Sequence, residues 1–282
     1  MSAAHGKIAL VLDRARQEEI VRNVRPPAED KSTRNVAFET LLRIGDNTLI
    51  LGHRISEWCG HSPALEEDIA LANVSLDLIG QTQLWLGLAG EVEGKGRSAD
   101  DLAFLRDAWD FKNLLITERP NDDFGYTLMR QFLFDAFHLE LLKALKKSSD
   151  QRIADIAEKS AKEVAYHLER SSDLVIRLGD GTDESHRRMQ KALDALWPYT
   201  GEMFLSDEID KAAAKQGIAP DPAELRPIWE STIRAVLHEA TLHIPDSTFA
   251  HKGGRQGMHT EHLGHMLTQM QWLQRAYPGA SW

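Results

Sequence analysis

Apolar positions between residues 124 and 178 recur at alternating spacings of three and four, the period of helices that bury one face. In the first segment the stripe runs through Phe124, Leu128, Gln131, Asp135, His138, Leu142 and Leu145. In the second it runs through Ile153, Ala157, Ser160, Val164, His167, Ser171, Leu174 and Leu178. Both stripes are expected to face one core, and both carry polar groups into it: Asp135 and His138 on one, His167 on the other. The two helices separate near Ser148 to Asp150. Gly179-Asp180-Gly181-Thr182 closes the second, and Thr182 caps a further helix through Leu196 that Pro198 ends or kinks.

The same period appears upstream. A helix is predicted from about Val36 to Trp58, with Gly45 and Gly52 suited to close helix packing. Ser62 as N-cap and Pro63 at the first position then start a helix reaching about Glu91. It carries Asn73, Asp77 and Gly80 on one row, beside the apolar row Ile69, Ala72, Leu76 and Ile79. After a loop at Gly94, Gly96 and Ser98, a shorter helical piece is expected over Asp101 to Glu118, broken at Arg119-Pro120. Downstream, Asp221-Pro222-Ala223-Glu224 starts a helix to about His243, and a glycine-rich loop precedes a last helix from about Thr260 to Tyr277. No sustained alternating strand pattern and no repeat interrupts this. The chain reads as all-α: residues 36–282 form a single ferritin-like domain, a long four-helix bundle core with additional C-terminal helices. A polar, proline-broken extension covers 1–35.

Charge narrows the partners. With 33 basic against 43 acidic residues and a formal charge of -10, neither nucleic acid nor an anionic membrane is the expected main partner. The single cysteine, Cys59, excludes an intrachain disulfide and any Cys-based zinc or iron-sulfur site. The apolar run Ile8 to Leu12 is too short for a signal-peptide core and is followed by Asp13 and Arg14, so a soluble, cytoplasmic protein is expected.

Facing helices that each project carboxylate-x-x-His hold two irons or manganeses in ferritin-like bundles, with one further carboxylate from each of two other helices. Here the first helix offers Asp46, with His53 and Glu57 further along, so that position stays open. Asp77 stands on the second helix, but Gly80 occupies the place of its histidine. The third supplies Asp135, with His138 in addition. The fourth supplies His167, but Val164 replaces its carboxylate, and Glu163 is turned about 100° away. Two of six ligands are therefore missing. The reading is a vestigial site with no metal and no catalytic residue, in which Asp135, His138, Glu163 and His167 form a polar core network. Two competing readings are a self-sufficient diiron or dimanganese oxidase using Asp46, Asp77, Asp135, Glu163 and His167, and a helical binding protein with no oxygenase partner. His259, His262 and His265 suggest a zinc site only weakly against a capped helix start with partly exposed histidines.

Several stretches carry a family likeness: Ile-Gly-Asp-Asn (44–47), Glu-Trp-Cys-Gly-His (57–61), Leu-Ala-Asn-Val-Ser-Leu-Asp-Leu-Ile-Gly-Gln (71–81), Asp-Ala-Phe-His (135–138), Glu-Val-Ala-Tyr-His-Leu (163–168), Arg-Leu-Gly-Asp-Gly-Thr-Asp (177–183) and His-Thr-Glu-His-Leu-Gly (259–264). From about Leu41 to Trp282 the chain resembles the C subunits of bacterial ring 1,2-phenylacetyl-CoA epoxidases. That resemblance implies a metal-free structural subunit that holds a catalytic, diiron-bearing A subunit in an active assembly. It further implies a small B subunit and, transiently, a reductase with FAD and an iron-sulfur centre that brings electrons from NADPH for epoxidation of the substrate ring by O2.

Overall fold

The structure, a computed structural model, describes residues 35–280, so the extension expected over 1–35 lies outside them except for Asn35. Every regular element among the described residues is helical. The Asn35 side chain accepts Phe38 N and starts α1 (Val36–Ser56). Helix α2 (Leu65–Glu93) follows and ends where Gly94 takes a left-handed conformation. The two helices pack closely because α1 lacks side chains where α2 crosses it. A Cβ at Gly45 would lie 2.5 Å from Leu86, and one at Gly52 3.0 Å from Ile79. Polar side chains reinforce the contact: Ser75 Oγ donates to Gly52 O at 2.8 Å, and the hydroxyls of Thr48 and Thr82 meet at 2.8 Å.

Beyond the short α3 (Ala99–Phe104), the long antiparallel pair α4 (Phe124–Leu145) and α5 (Gln151–Gly179) completes the four-helix core, so the ferritin-like expectation holds. Apart from the half-buried Phe124 and Leu178, both inward stripes read from the sequence are buried. Helix α6 (Asp183–Leu196), capped by Thr182 and Ser185, and α8 (Pro222–Glu239), capped by Asp221, cover one end of the bundle, where Leu193, Trp229 and Ile233 join Phe132, Leu133 and Phe137. Helix α7 (Glu208–Lys215) is anchored to α1 through Arg43, which pairs with Asp207 at 2.6 Å and Asp210 at 2.8 Å. The last helix, α9 (Glu261–Ala276), seals the other end through Leu263, Met266 and Leu267 against Leu41, Trp85 and Leu142.

Four sequence expectations need correction. Helix α2 starts at Leu65, with Ala64 as a cap that makes no side-chain bond; the turn before it is held instead by Asp68 Oδ2, which accepts Gly60 N at 2.8 Å and Ser62 N at 3.3 Å. The helix expected over 101–118 is limited to α3, entered through a Ser98–Asp101 capping box, and one 3-10 turn over Ala108–Asp110. From residue 111 to 114 the chain has no regular secondary structure, and a turn follows. Distant side chains replace the helical partners there: Lys112 N donates to Asp46 Oδ2, Leu114 N to Asn47 Oδ1 and Leu115 N to Glu202 Oε2, each at 2.8 Å. Helix α8 stops at Glu239 instead of about His243, where Thr241 adopts φ 58°. Finally, in the apolar row of α2, Ile69 is 54% and Leu76 69% exposed, because the face turned to the core is Leu71, Val74, Leu78, Gln81 and Trp85.

Candidate functional site

Asp135 sits in the middle of α4, fully buried, with Gln131 one turn before it. Gln131 Nε2 donates to its Oδ1 at 2.6 Å, and Ser171 Oγ on α5 donates to its Oδ2 at 3.1 Å. Two donors do not offset complete desolvation, so burial pushes the Asp135 carboxyl well above the usual carboxylate range. One turn on, His138 packs its ring against Phe134, with centroids 5.1 Å apart, and neither ring nitrogen has a hydrogen-bond partner. Desolvation, with a smaller contribution from nearby His167, pushes its pKa down to about 3, so the ring stays neutral.

His167 reaches across from α5 to α2. Its Nε2 lies 2.9 Å from Asp77 Oδ2, and since a carboxylate only accepts, the ring proton belongs on Nε2. That leaves Nδ1 bare, buried and without a partner. Burial lowers the His167 pKa, more than Asp77 raises it. One turn further along the same helix pair, Gln81 Nε2 donates to Glu163 Oε2 at 2.9 Å. The remaining oxygen of Gln81, that of Gln131 and the hydroxyl of Ser160 are all buried and unpaired.

The four residues read from the sequence as one network thus divide. Asp135 is bonded to Gln131 and Ser171, His167 to Asp77, Glu163 to Gln81, and His138 to nothing. They neighbour one another without bonding to one another, because each carboxylate finds an amide, hydroxyl or ring N–H nearer to it.

Asp46 leaves the bundle centre altogether. Fully buried, it is paired with both terminal nitrogens of Arg106, one of them at 3.0 Å, and accepts Lys112 N. Its negative charge is met by a guanidinium, so it has none to offer a metal beside Asp77 and Asp135. Gly80 brings no ligand, and a Cβ there would touch nothing within 4 Å among the described residues, so packing among them does not require the glycine. Val164 is wholly buried. No group of three or more His, Cys, Asp or Glu side chains among the described residues is arranged to hold a metal ion. The donor set here, one carboxyl resisting ionisation and imidazoles without a shared focus, does not fit a dinuclear centre.

The three C-terminal histidines also separate. His259 is bonded through Nδ1 to Glu118 Oε2 at 2.8 Å and through Nε2 to Phe111 O at 3.0 Å, whereas His265 is exposed. Sequence reasoning missed Glu118 and Glu202, since neither stands in a recognisable motif. Glu118 also accepts Asn113 Nδ2 at 3.0 Å and Thr260 N at 2.6 Å. Glu202 accepts Leu115 N, Gly253 N and Gly254 N, each at 2.8 Å, although burial raises its pKa.

The described residues thus define the class of the chain as an all-helical, ferritin-like bundle that keeps buried polar groups at its centre. The chain belongs to the phenylacetic acid catabolic protein family (PaaA_PaaC), whose model matches residues 24–282. It is 49% identical over 241 residues to the C subunit of the 1,2-phenylacetyl-CoA epoxidase of Escherichia coli (strain K12), an alignment covering 86% of this chain and 97% of that one. The likeness drawn from the motifs is thereby borne out. No helix among the described residues is long and apolar enough to cross a membrane.

Proposed function

We propose that this chain is a non-catalytic structural subunit of a multicomponent diiron monooxygenase that epoxidises the ring of phenylacetyl-CoA in phenylacetate degradation. Its task is to bind and stabilise the catalytic A subunit. The observation that carries the reading is near-complete coverage of an epoxidase C subunit at 49% identity by a chain whose own candidate ligands are dispersed. Asp46 is neutralised by Arg106, Asp135 is held by Gln131 and Ser171, and Gly80 and Val164 contribute no ligand. In this reading the chain carries no cofactor; the diiron centre belongs to the A subunit, and FAD and iron-sulfur to the reductase. A small B subunit joins the assembly, the reductase docks transiently, and the whole works in the cytoplasm.

The test is co-expression with the A subunit. A stable hetero-oligomer should form at micromolar concentration, with iron following the A subunit and far less than one iron per chain in the isolated protein. Separate elution of the two chains would defeat the reading. So would stoichiometric iron in this chain coupled to O2 or peroxide turnover.

A further inference from the structure

From Ile69 to Gly90 helix α2 contains a single ionisable side chain, Asp77, although 27% of the whole chain is charged. Solvated helix faces are normally charged, and contiguous apolar surface on a soluble protein marks a binding site. Leu65 is 72%, Ile69 54% and Leu76 69% exposed along this helix, and Tyr166, beside His167 on α5, is 57% exposed. The outward row of α2 repeats every seven residues, with Ile69, Leu76 and Gln83 beside Asn73, Gly80 and Gly87. A seven-residue repeat is the pattern that keeps a second helix alongside the first.

Gly80 and Gly87 add a separate observation. Each glycine inside a helix costs about 1 kcal/mol relative to alanine, and Gly45 and Gly52 justify theirs by admitting α2. At Gly80 and Gly87 a Cβ would meet nothing within 4 Å among the described residues. Missing side chains on an outward row allow another backbone to come close.

We propose that this face of α2, with the adjoining edge of α5, is where the catalytic subunit docks, by laying one of its own long helices along the row centred on Gly80. The inference rests on the proposed function for the existence of that subunit and goes beyond it in placing the contact. Extent supports it: from Leu65 to Gly87 the row is about 33 Å long, and two helices side by side give a face roughly 20 Å wide. Such a face, on the order of 650 Å², approaches the ~800 Å² that each partner contributes to a stable interface. Charge decides between a different subunit and a second copy. Asp77 is backed by His167, whose pKa burial lowers, and no Lys or Arg among the described residues is paired with it. A symmetric pair crossing near Gly80 would bring two such carboxylates under one dry contact, whereas a partner with Lys or Arg opposite Asp77 completes the pair.

The experiment measures binding of the full-length chain to purified A subunit by titration calorimetry, with sedimentation to report self-association. Leu76→Glu alters an exposed position and Gly80→Leu a half-buried one where a Cβ meets nothing within 4 Å among the described residues, so both variants should fold, checked by circular dichroism and melting temperature. Each should weaken binding about 30-fold or more, the loss expected at the centre of an interface. Trp272→Ser, at an exposed aromatic on α9, should bind as the parent does. If the parent chain itself does not bind the A subunit, the proposed function fails. If the parent binds and both α2 variants bind equally well, the placement fails while the function stands. A parent dimer abolished by Gly80→Leu, with A-subunit binding unchanged, would assign the face to self-association and overturn the proposal.

Discussion

Buried carboxylates near residues 105–118 and buried polar groups at the bundle centre live under different rules. Asp46, Glu118 and Glu202 each accept three hydrogen bonds, and through them the 111–118 segment, the Gly253–Gly254 turn and the start of α9 are tied to α1 and to one another. Neutral side-chain oxygens lack partners there, namely Asn113 Oδ1, Thr260 Oγ1 and Gln274 Oε1. At the bundle centre, Asp135 accepts two bonds, and His138, Ser160 and parts of Gln81, Gln131 and His167 have no partner. A group placed to hold structure together is normally satisfied within the chain, because orphaning it costs free energy. The first region is satisfied within the chain in the way a structural tie is; the second leaves buried polar atoms without partners among the described residues.

Breaking the first region should give the largest effect. Glu202→Ala orphans three buried N–H groups and should cost about 3 to 5 kcal/mol, lowering the melting temperature by roughly 10 °C, whereas Glu202→Gln should retain part of that loss. A shift of a degree or less would place the two regions on the same footing. Substitution in the second should have the opposite sign. His138→Leu removes two orphaned nitrogens and should stabilise the chain by about 1 to 2 kcal/mol at neutral pH. Because the folded ring titrates at about 3 and an unfolded histidine near 6.5, the parent loses stability as pH falls from about 6.5 toward 3, and the advantage of the variant should widen over that window. Denaturant midpoints at pH 7 and pH 5 check this; a ring that proves more stable than leucine must have found partners.

Asp135 supplies the reverse slope. Its folded pKa is raised, so its contribution is fully present below the unfolded value and is lost as pH rises through the folded one. Asp135→Asn should therefore gain on the parent with rising pH, by about 1 kcal/mol or more, read as a difference in melting temperature across pH 4 to 8. The smallest effect falls outside both regions: Gly80→Ala should stabilise the isolated chain by about 0.5 to 1 kcal/mol, since a methyl group there meets nothing.

What the sequence made legible follows from range. The α4 and α5 stripes, the Thr182 and Asp221 caps and the helix-packing glycines at 45 and 52 depend on neighbours one or two turns away or on the period itself. The segment after α3 was misread because its backbone donors are satisfied by Asp46, Asn47 and Glu202, which lie 66 to 87 residues away. The role of Asp46 was hidden likewise, since Arg106 follows it by 60 residues. Helix α7, by contrast, carried a local signal, the Asp207–Asp210 capping box, that could have found it. The outward direction of Ile69 and Leu76 was invisible because an exposed apolar row and a core row share one period.

The bond between Glu118 and His259 spans 141 residues. At a synthesis rate of about 5 to 20 residues per second, that separation corresponds to roughly 7 to 28 seconds during which the carboxylate has left the ribosome's catalytic centre and its imidazole has not yet been made. All four bundle helices are complete before His259 is translated. Until then Glu118 must stay hydrated, and the segment around it cannot take its final place. Closing the flank at Glu118 therefore waits on residues translated after all four bundle helices, from His259 onward.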